Sequence, residues 1–192
     1  MGKTHRAFSG VFWLGTCLAV NWVGRELGAQ DWVINPGVIL AGFFIAPWFS
    51  AGRYCSPDID HRWAPGPPRN HYDWRYHRGF THRVWFASTL TMLAGLFPFM
   101  ALLGNGVPAG TALLAFAPVN GWWSHLAGDM IYGRILILGR ARGLGWRTGG
   151  LSETGRPSSG GSALILDPAA KVCAGLAAAL AGLHLALFVT TF

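Results

Sequence analysis

Five apolar stretches divide the chain. They run from Phe8 to Val23, from about Val33 to Ala51, from Val84 to Leu103, from about Val107 to Trp123, and from Val172 to Phe192. Each approaches the ~20 residues that a helix needs to cross ~30 Å of hydrocarbon, although the first and fourth are short. Polar residues collect between the stretches rather than recurring every third or fourth position within them. That is the pattern of helices apolar on all sides, not of amphipathic helices around a soluble core. Pro47, Pro98 and Pro118 fall inside the stretches, which membrane helices tolerate. Trp32, Trp48, Trp85, Trp122 and Trp123 lie near their ends, where interfacial belts form. The pattern predicts an all-α polytopic membrane bundle of about five helices. The competing reading is a buried helical core in a soluble protein.

Composition weighs on the membrane side. Only 12% of the 192 residues are charged and 52% are hydrophobic. Globular proteins carry about 25% charged residues, so a soluble surface would be thinly covered. The net charge is +7. Simple alternation of the five stretches puts every Lys and Arg except Arg25, fourteen of the fifteen, on one side. The positive-inside rule makes that side cytoplasmic, with the N-terminus there and Phe192 opposite. At a cytoplasmic membrane face the basic loops would lie against anionic lipids, so membrane lipids are the expected partners and no specific nucleic-acid binding is expected. Lys3 and Arg6 precede the first stretch, but no A-x-A cleavage site follows, so a removable signal is not expected. Cys17, Cys55 and Cys173 form no paired motif.

The organisation that follows has three parts. Residues 1–138 form a membrane helical bundle. Residues 139–162, rich in Gly, Ser, Arg and Pro, form a flexible cytoplasmic linker. Residues 163–192 carry the last membrane helix. Glycine pairs in the linker follow no strand and carry no phosphate-loop lysine, so nucleotide loops are excluded.

The chemistry-bearing residues fall at the edges of the apolar stretches. His5 opens the first. Asp58 and Asp60, in Ser-Pro-Asp-Ile-Asp-His, follow the second. Two carboxylates at i, i+2 in a non-helical turn can converge on one cation, though such a turn could also simply cap a helix. His77 and His82, in His-Arg-Gly-Phe-Thr-His, precede the third stretch, with Thr81 or Thr4 able to support a ligand. They could equally be interfacial residues reaching to water. His125 and Asp129 follow the fourth, one helical turn apart, with Gly128 leaving room beside them. A pair so spaced also stabilises a helix on its own. Alternation brings all of them to one face. Imidazole and carboxylate are the donors that Zn²⁺ and related hydrolytic metals take. His5, Asp58, Asp60, His77, His82, His125 and Asp129 are therefore the expected ligands of one to three divalent ions, Zn²⁺ foremost. Asp60 is also the candidate bridging ligand or general base. Arg78, or Arg75, is the candidate partner of an anionic substrate. His71 and Asp73 share the loop without a clear spacing. His184 lies inside the fifth stretch with no acidic neighbour and reads as a packing or interfacial residue.

In order, Thr-His, Pro-Asp-Ile-Asp, His-Arg-Gly-Phe-Thr-His and His-x-x-x-Asp resemble the motifs of the YdjM-like family of bacterial inner-membrane proteins, described as membrane-bound metal-dependent hydrolases. The resemblance covers roughly residues 3–133 and implies a helical membrane protein with a His/Asp metal centre. Ser56 and Arg83 depart from the family pattern, which touches substrate contacts rather than ligands. The scatter of His and Asp over several helices is also similar to that of zinc phospholipase C enzymes and of zinc-dependent nucleases, which leaves phospholipid and nucleotide-like substrates both open. That similarity suggests a phosphoester substrate, with a metal-binding scaffold or transporter as the rival reading. A transporter would carry ligands near the membrane midplane, and these lie at the stretch ends.

Overall fold

The computed structural model of the chain describes residues 2–52, 54–62, 81–132, 135–137, 140–142, 172–173 and 175–184. Helix α1 spans Gly2–Glu26. A short 3-10 turn, Gln30–Trp32, leads to α2, Pro36–Ala51. Asn35 caps α2: its Oδ1 accepts from the Val38 amide at 3.0 Å, while Pro36 occupies the first helical position, where a missing N–H costs nothing. Helix α3 covers Val84–Gly104, and α4 covers 109–132. Helix α5, Gly175–His184, is the described part of the last apolar stretch, apart from 172–173.

Both central prolines leave a mark. In α3 the turn Thr91–Leu96 is a π-turn just before Pro98, and in α4 Leu113–Phe116 is a 3-10 turn just before Pro118. A proline ring clashes with the carbonyl four residues back and cannot donate to it, so the local winding changes there. Neither helix is interrupted.

Helix α4 is central and packs against α1, α2 and α3. Its contact with α2 is close because a Cβ at Gly121 would collide with the Ala46 carbonyl. At Gly42 of α2 a Cβ would run into the Trp13 indole, whose Nε1 donates to the Ile39 carbonyl at 2.8 Å. Trp13, Cys17, Ile34, Val38, Ala46 and Ala117 form the main core. Helix α5 is fastened to α1 by His184, buried, whose Nε2 donates to the Leu14 carbonyl at 3.0 Å. His184 is thus a packing residue.

The outer faces remain apolar. Leu40, Phe44 and Trp48 on α2, and Met92, Leu93, Phe97 and Met100 on α3, are exposed. Among the described residues, three helices are long and apolar enough to cross a membrane: His5–Glu26, Gln30–Ala51 and Val84–Gly104. An exposed hydrocarbon surface of this extent is a liability in water and an asset in lipid, so the chain is a helical membrane protein. Helix α4 carries more polar residues, including Asn120, Ser124, His125 and Asp129, and its central position shelters them.

The structure corrects three expectations. Residues 57–62 are not a non-helical turn: Pro57 opens a 3-10 helix, Pro57–Arg62, with the Ile59 amide donating to the Ser56 carbonyl. The proline ring suits a first helical position, so it starts the turn instead of preventing it. Trp122 is not an outward-facing belt residue but buried, with its indole N–H donating to the Thr81 carbonyl at 3.2 Å. The linker does not begin as structureless chain, because β1, Ile135–Ile137, pairs antiparallel with β2, Arg140–Arg142. Ile135 and Ile137, β-branched and two apart in β1, suit a strand and pair with Arg142 and Arg140. Residues 143–162 of the linker lie outside the described residues.

Candidate metal centre

Four chain segments end at one place. They are the first turn of α1, the last turn of α2 with the 3-10 helix behind it, the two residues before α3, and the last two turns of α4. Up-and-down packing of four helices dictates this, since alternate ends must share a side. His5, Asp58, His82, His125 and Asp129 meet there.

His82 and His125 form the centre, with their Nε2 atoms 3.2 Å apart. Asp58 Oδ1 lies 3.6 Å from the first and 3.5 Å from the second. Asp129 Oδ2 lies 3.4 Å and 3.5 Å from the same two atoms. Asp129 Oδ1 faces the other way, 3.7 Å from His5 Nε2. The His5 ring stacks on that of His125 at 4.1 Å between centroids. Asp129 therefore spans two groups, with one oxygen towards the histidine pair and one towards His5. Two triads, His5–His125–Asp129 and Asp58–His82–His125, each bring their donor atoms within 4.8 Å of one another.

Neighbouring backbone sets the orientation. Ser50 lies in the last turn of α2, where carbonyls have no helical donor. Its carbonyl accepts from His125 Nδ1 at 2.6 Å. A carbonyl only accepts, so Nδ1 carries a proton and Nε2 is the atom turned to the cluster, where its lone pair can serve a metal once His125 is neutral. The Ser50 hydroxyl donates to the His5 carbonyl at 3.1 Å, tying α1 to α2. Ser124, beside His125, donates to the Gly121 carbonyl at 2.7 Å and lies 3.3 Å from the Ser50 hydroxyl. Thr81 Oγ1 is 3.2 Å from His82 Nδ1, and the Trp122 bond to its carbonyl pins this segment on α4. At Gly128 a Cβ would sit 2.9 Å from His5 Nδ1, so only glycine leaves His5 its place.

Charge and spacing bear on what the cluster could hold. His5, His82, His125 and Asp129 are 6% exposed or less, while the Asp58 side chain is 33% exposed. Burial, the strongest single influence on Asp58, would raise its carboxyl. Hydrogen bonds and positive charge from His125 and His82 outweigh it and hold the carboxyl well below the usual carboxylate range. Were the imidazoles neutral, the two carboxylates would leave two negative charges in a largely dry site. Two imidazole protons or one divalent cation would balance them, and an unbalanced buried charge is costly. Five of the six pairwise distances among the donors of Asp58, His82, His125 and Asp129 run from 3.2 to 3.6 Å, while the two carboxylates belong to different triads. Tetrahedral ligands held at 2.0–2.2 Å from Zn²⁺ are about 3.3–3.6 Å apart. In donor type, spacing and charge these residues fit a divalent metal.

Of the residues singled out in the sequence, the structure brings together His5, Asp58, His82, His125 and Asp129. Asp60 falls in the 3-10 helix with its side chain outside the described residues. His77, Arg78, Arg75, His71 and Asp73 also lie outside them. Ser50, Ser124 and Trp122 were missed. Ser50 and Ser124 had one faint signal, a hydroxyl at the end of an otherwise apolar stretch, on the side where the histidines emerge. A backbone carbonyl leaves no trace in the sequence at all. No protein-family model, curated protein or solved structure matches the chain.

Proposed function

We propose that this chain is a membrane-bound metal-dependent hydrolase acting on a phosphoester at the cytoplasmic surface of a bacterial inner membrane. One observation carries the reading: three histidines and two aspartates from four helix ends converge with their donors at ligand spacing. The YdjM-like motifs and the fourteen-to-one distribution of basic residues support the same function and orientation.

Asp58, His82, His125 and Asp129 would hold a divalent ion, Zn²⁺ foremost, and His5 with the second Asp129 oxygen offers a further position. Such an ion supplies Lewis acidity and lowers the pKa of water to about 7. The protein's part is orientation and proton handling. The Ser50 carbonyl fixes the His125 tautomer, and Asp58, the most accessible of the cluster, marks where water and substrate arrive. Asp60 takes the proton of the attacking water as its oxygen bonds to phosphorus. The P–O bond to the alcohol breaks, and the departing oxygen takes the proton that Asp60 received, which returns Asp60 to its carboxylate. Arg78 offsets the phosphoester charge. The rival, a non-catalytic metal-stabilised scaffold, draws on the near-complete burial of four of the five residues.

Metal analysis of purified protein, followed by hydrolysis assays with phosphodiesters and phospholipids, tests the proposal. Wild type should contain stoichiometric metal and turn over, and Asp58→Asn should lose both. Metal-loaded protein inactive on every phosphoester would leave the scaffold. Protein with no metal would remove both readings. Reporters after Arg147 and near Gln30 should lie on the cytoplasmic and opposite sides, respectively.

A further inference from the structure

A cavity of about 690 Å³ opens between α1 and α3, with α4 as its floor. Its walls include Phe12 and Thr16 of α1 and Val84 of α3, and its floor runs from Leu113 through Trp123 to Leu126. That volume is typical of sites for small molecules, roughly 300–1,000 Å³. The lining is mostly hydrocarbon and its hydroxyl, amide and indole donors are engaged, with Asn120 Oδ1 the buried acceptor that lacks a hydrogen-bond partner. Thr16 donates to the Phe12 carbonyl at 2.8 Å, and Asn120 Nδ2 to Thr16 Oγ1 at 2.9 Å. Thr91 donates to the Ala87 carbonyl at 2.8 Å, and Trp123 Nε1 to Thr91 Oγ1 at 2.9 Å. A polar ligand would find few partners here.

Position and length narrow the occupant. The floor residues span about 20 Å at ~1.5 Å per helical residue. One leaflet of a ~30 Å hydrocarbon core is about 15 Å deep, so one lipid chain fits lengthwise. Two walls belong to helices of membrane-crossing length, and Thr16 at the rim is exposed. One end abuts the His/Asp cluster, since Leu126 adjoins His125 and Val84 follows His82 by two residues. A headgroup at the cluster would send its chain straight into the groove.

We infer that the groove between α1 and α3 holds one hydrocarbon chain of a membrane lipid, so that the substrate class of the adjoining centre is a lipid phosphoester. The headgroup half rests on the proposed hydrolase function, and the chain half does not. The chain enters sideways from the bilayer past Thr16. Water-soluble phosphoesters lack the chain and are poorer substrates.

Full-length protein is reconstituted in bilayers of phosphatidylethanolamine and phosphatidylglycerol, doped with phosphatidylglycerol that carries a diazirine midway along one chain. After irradiation the adducts are mapped by mass spectrometry. Label is expected on the buried floor of α4, at Val119 and Leu126, which bulk lipid does not reach. Asp58→Asn should keep that label. Thr16→Trp, which fills the rim, should lose it while keeping label on the outer face of α2. In a second arm, benzoylphenylalanine in place of Leu113 should form an adduct of lipid mass. Label confined to outer faces would overturn the inference, as would a Leu113 adduct to a second copy or to residues 185–192. If Thr16→Trp fails to fold, the wild-type map and the Leu113 arm decide alone. Floor label without turnover on any phosphoester removes the hydrolase reading and leaves the chain site. Turnover without floor label removes the chain site alone.

Discussion

Gly128→Ala tests the centre without deleting a candidate ligand. The added Cβ would lie 2.9 Å from His5 Nδ1 and 3.0 Å from its Cε1. Ordinary contact is about 3.5 Å, so the ring must retreat by about 0.5 Å. It has little freedom to do so, because one face stacks on His125 and the Ser50 hydroxyl holds the His5 carbonyl. Metal ligands tolerate displacements of only about 0.2 Å, so the contact between His5 and Asp129 is spoiled for ligation. Overpacking of this kind costs about 1–3 kcal/mol. In a chain of this size each kcal/mol is about 2–4 °C in melting midpoint. Gly15→Ala is the matched control, with nothing within 4 Å of its Cβ inside the same kind of helix. There the change should be neutral or stabilising by up to about 1 kcal/mol, the helix-propensity gain. The assay is metal content per chain together with thermal unfolding in detergent, with and without chelator. Gly128→Ala should lose metal and melt lower, and the chelator should lower its midpoint less than it lowers that of wild type. If Gly128→Ala matches Gly15→Ala in metal content and midpoint, His5 has no part in the centre.

Three further outcomes follow from the geometry. Thr81→Val removes the hydroxyl 3.2 Å from His82 Nδ1 and should weaken metal affinity about 10–100-fold; unchanged affinity would mean that His82 does not ligate through Nε2. Bound metal should be retained at high pH and released as pH falls, because protons compete for the histidine Nε2 lone pairs, which the neighbouring carboxylates favour, while Asp58 stays ionised. Release confined to pH below 4 would point to carboxylates alone. His184→Ala breaks the bond to the Leu14 carbonyl and should cost about 1–3 kcal/mol with metal content intact; metal loss would show that α5 also shapes the centre.

Much of the architecture was legible in one dimension. A run of apolar residues of bilayer length becomes a helix because its backbone must satisfy itself in lipid. Counting such runs fixes which residues emerge on which side. That arithmetic alone grouped His5, Asp58, His82, His125 and Asp129 at one face before any contact was known. The i, i+4 spacing of His125 and Asp129 likewise placed them on one face of α4. Rotation of each helix about its axis, and the choice of neighbours, depend on packing between segments far apart in sequence. Only the tertiary structure therefore showed that the Ser50 carbonyl orients His125, that Asp129 divides its oxygens between His5 and the histidine pair, and that α1 and α3 stand apart over α4. Trp122 illustrates the same limit: position in the chain put it at an interface, and helix rotation buried it against Thr81. Hydropathy records how deep a residue sits along the membrane normal, and side-chain packing decides what it touches there.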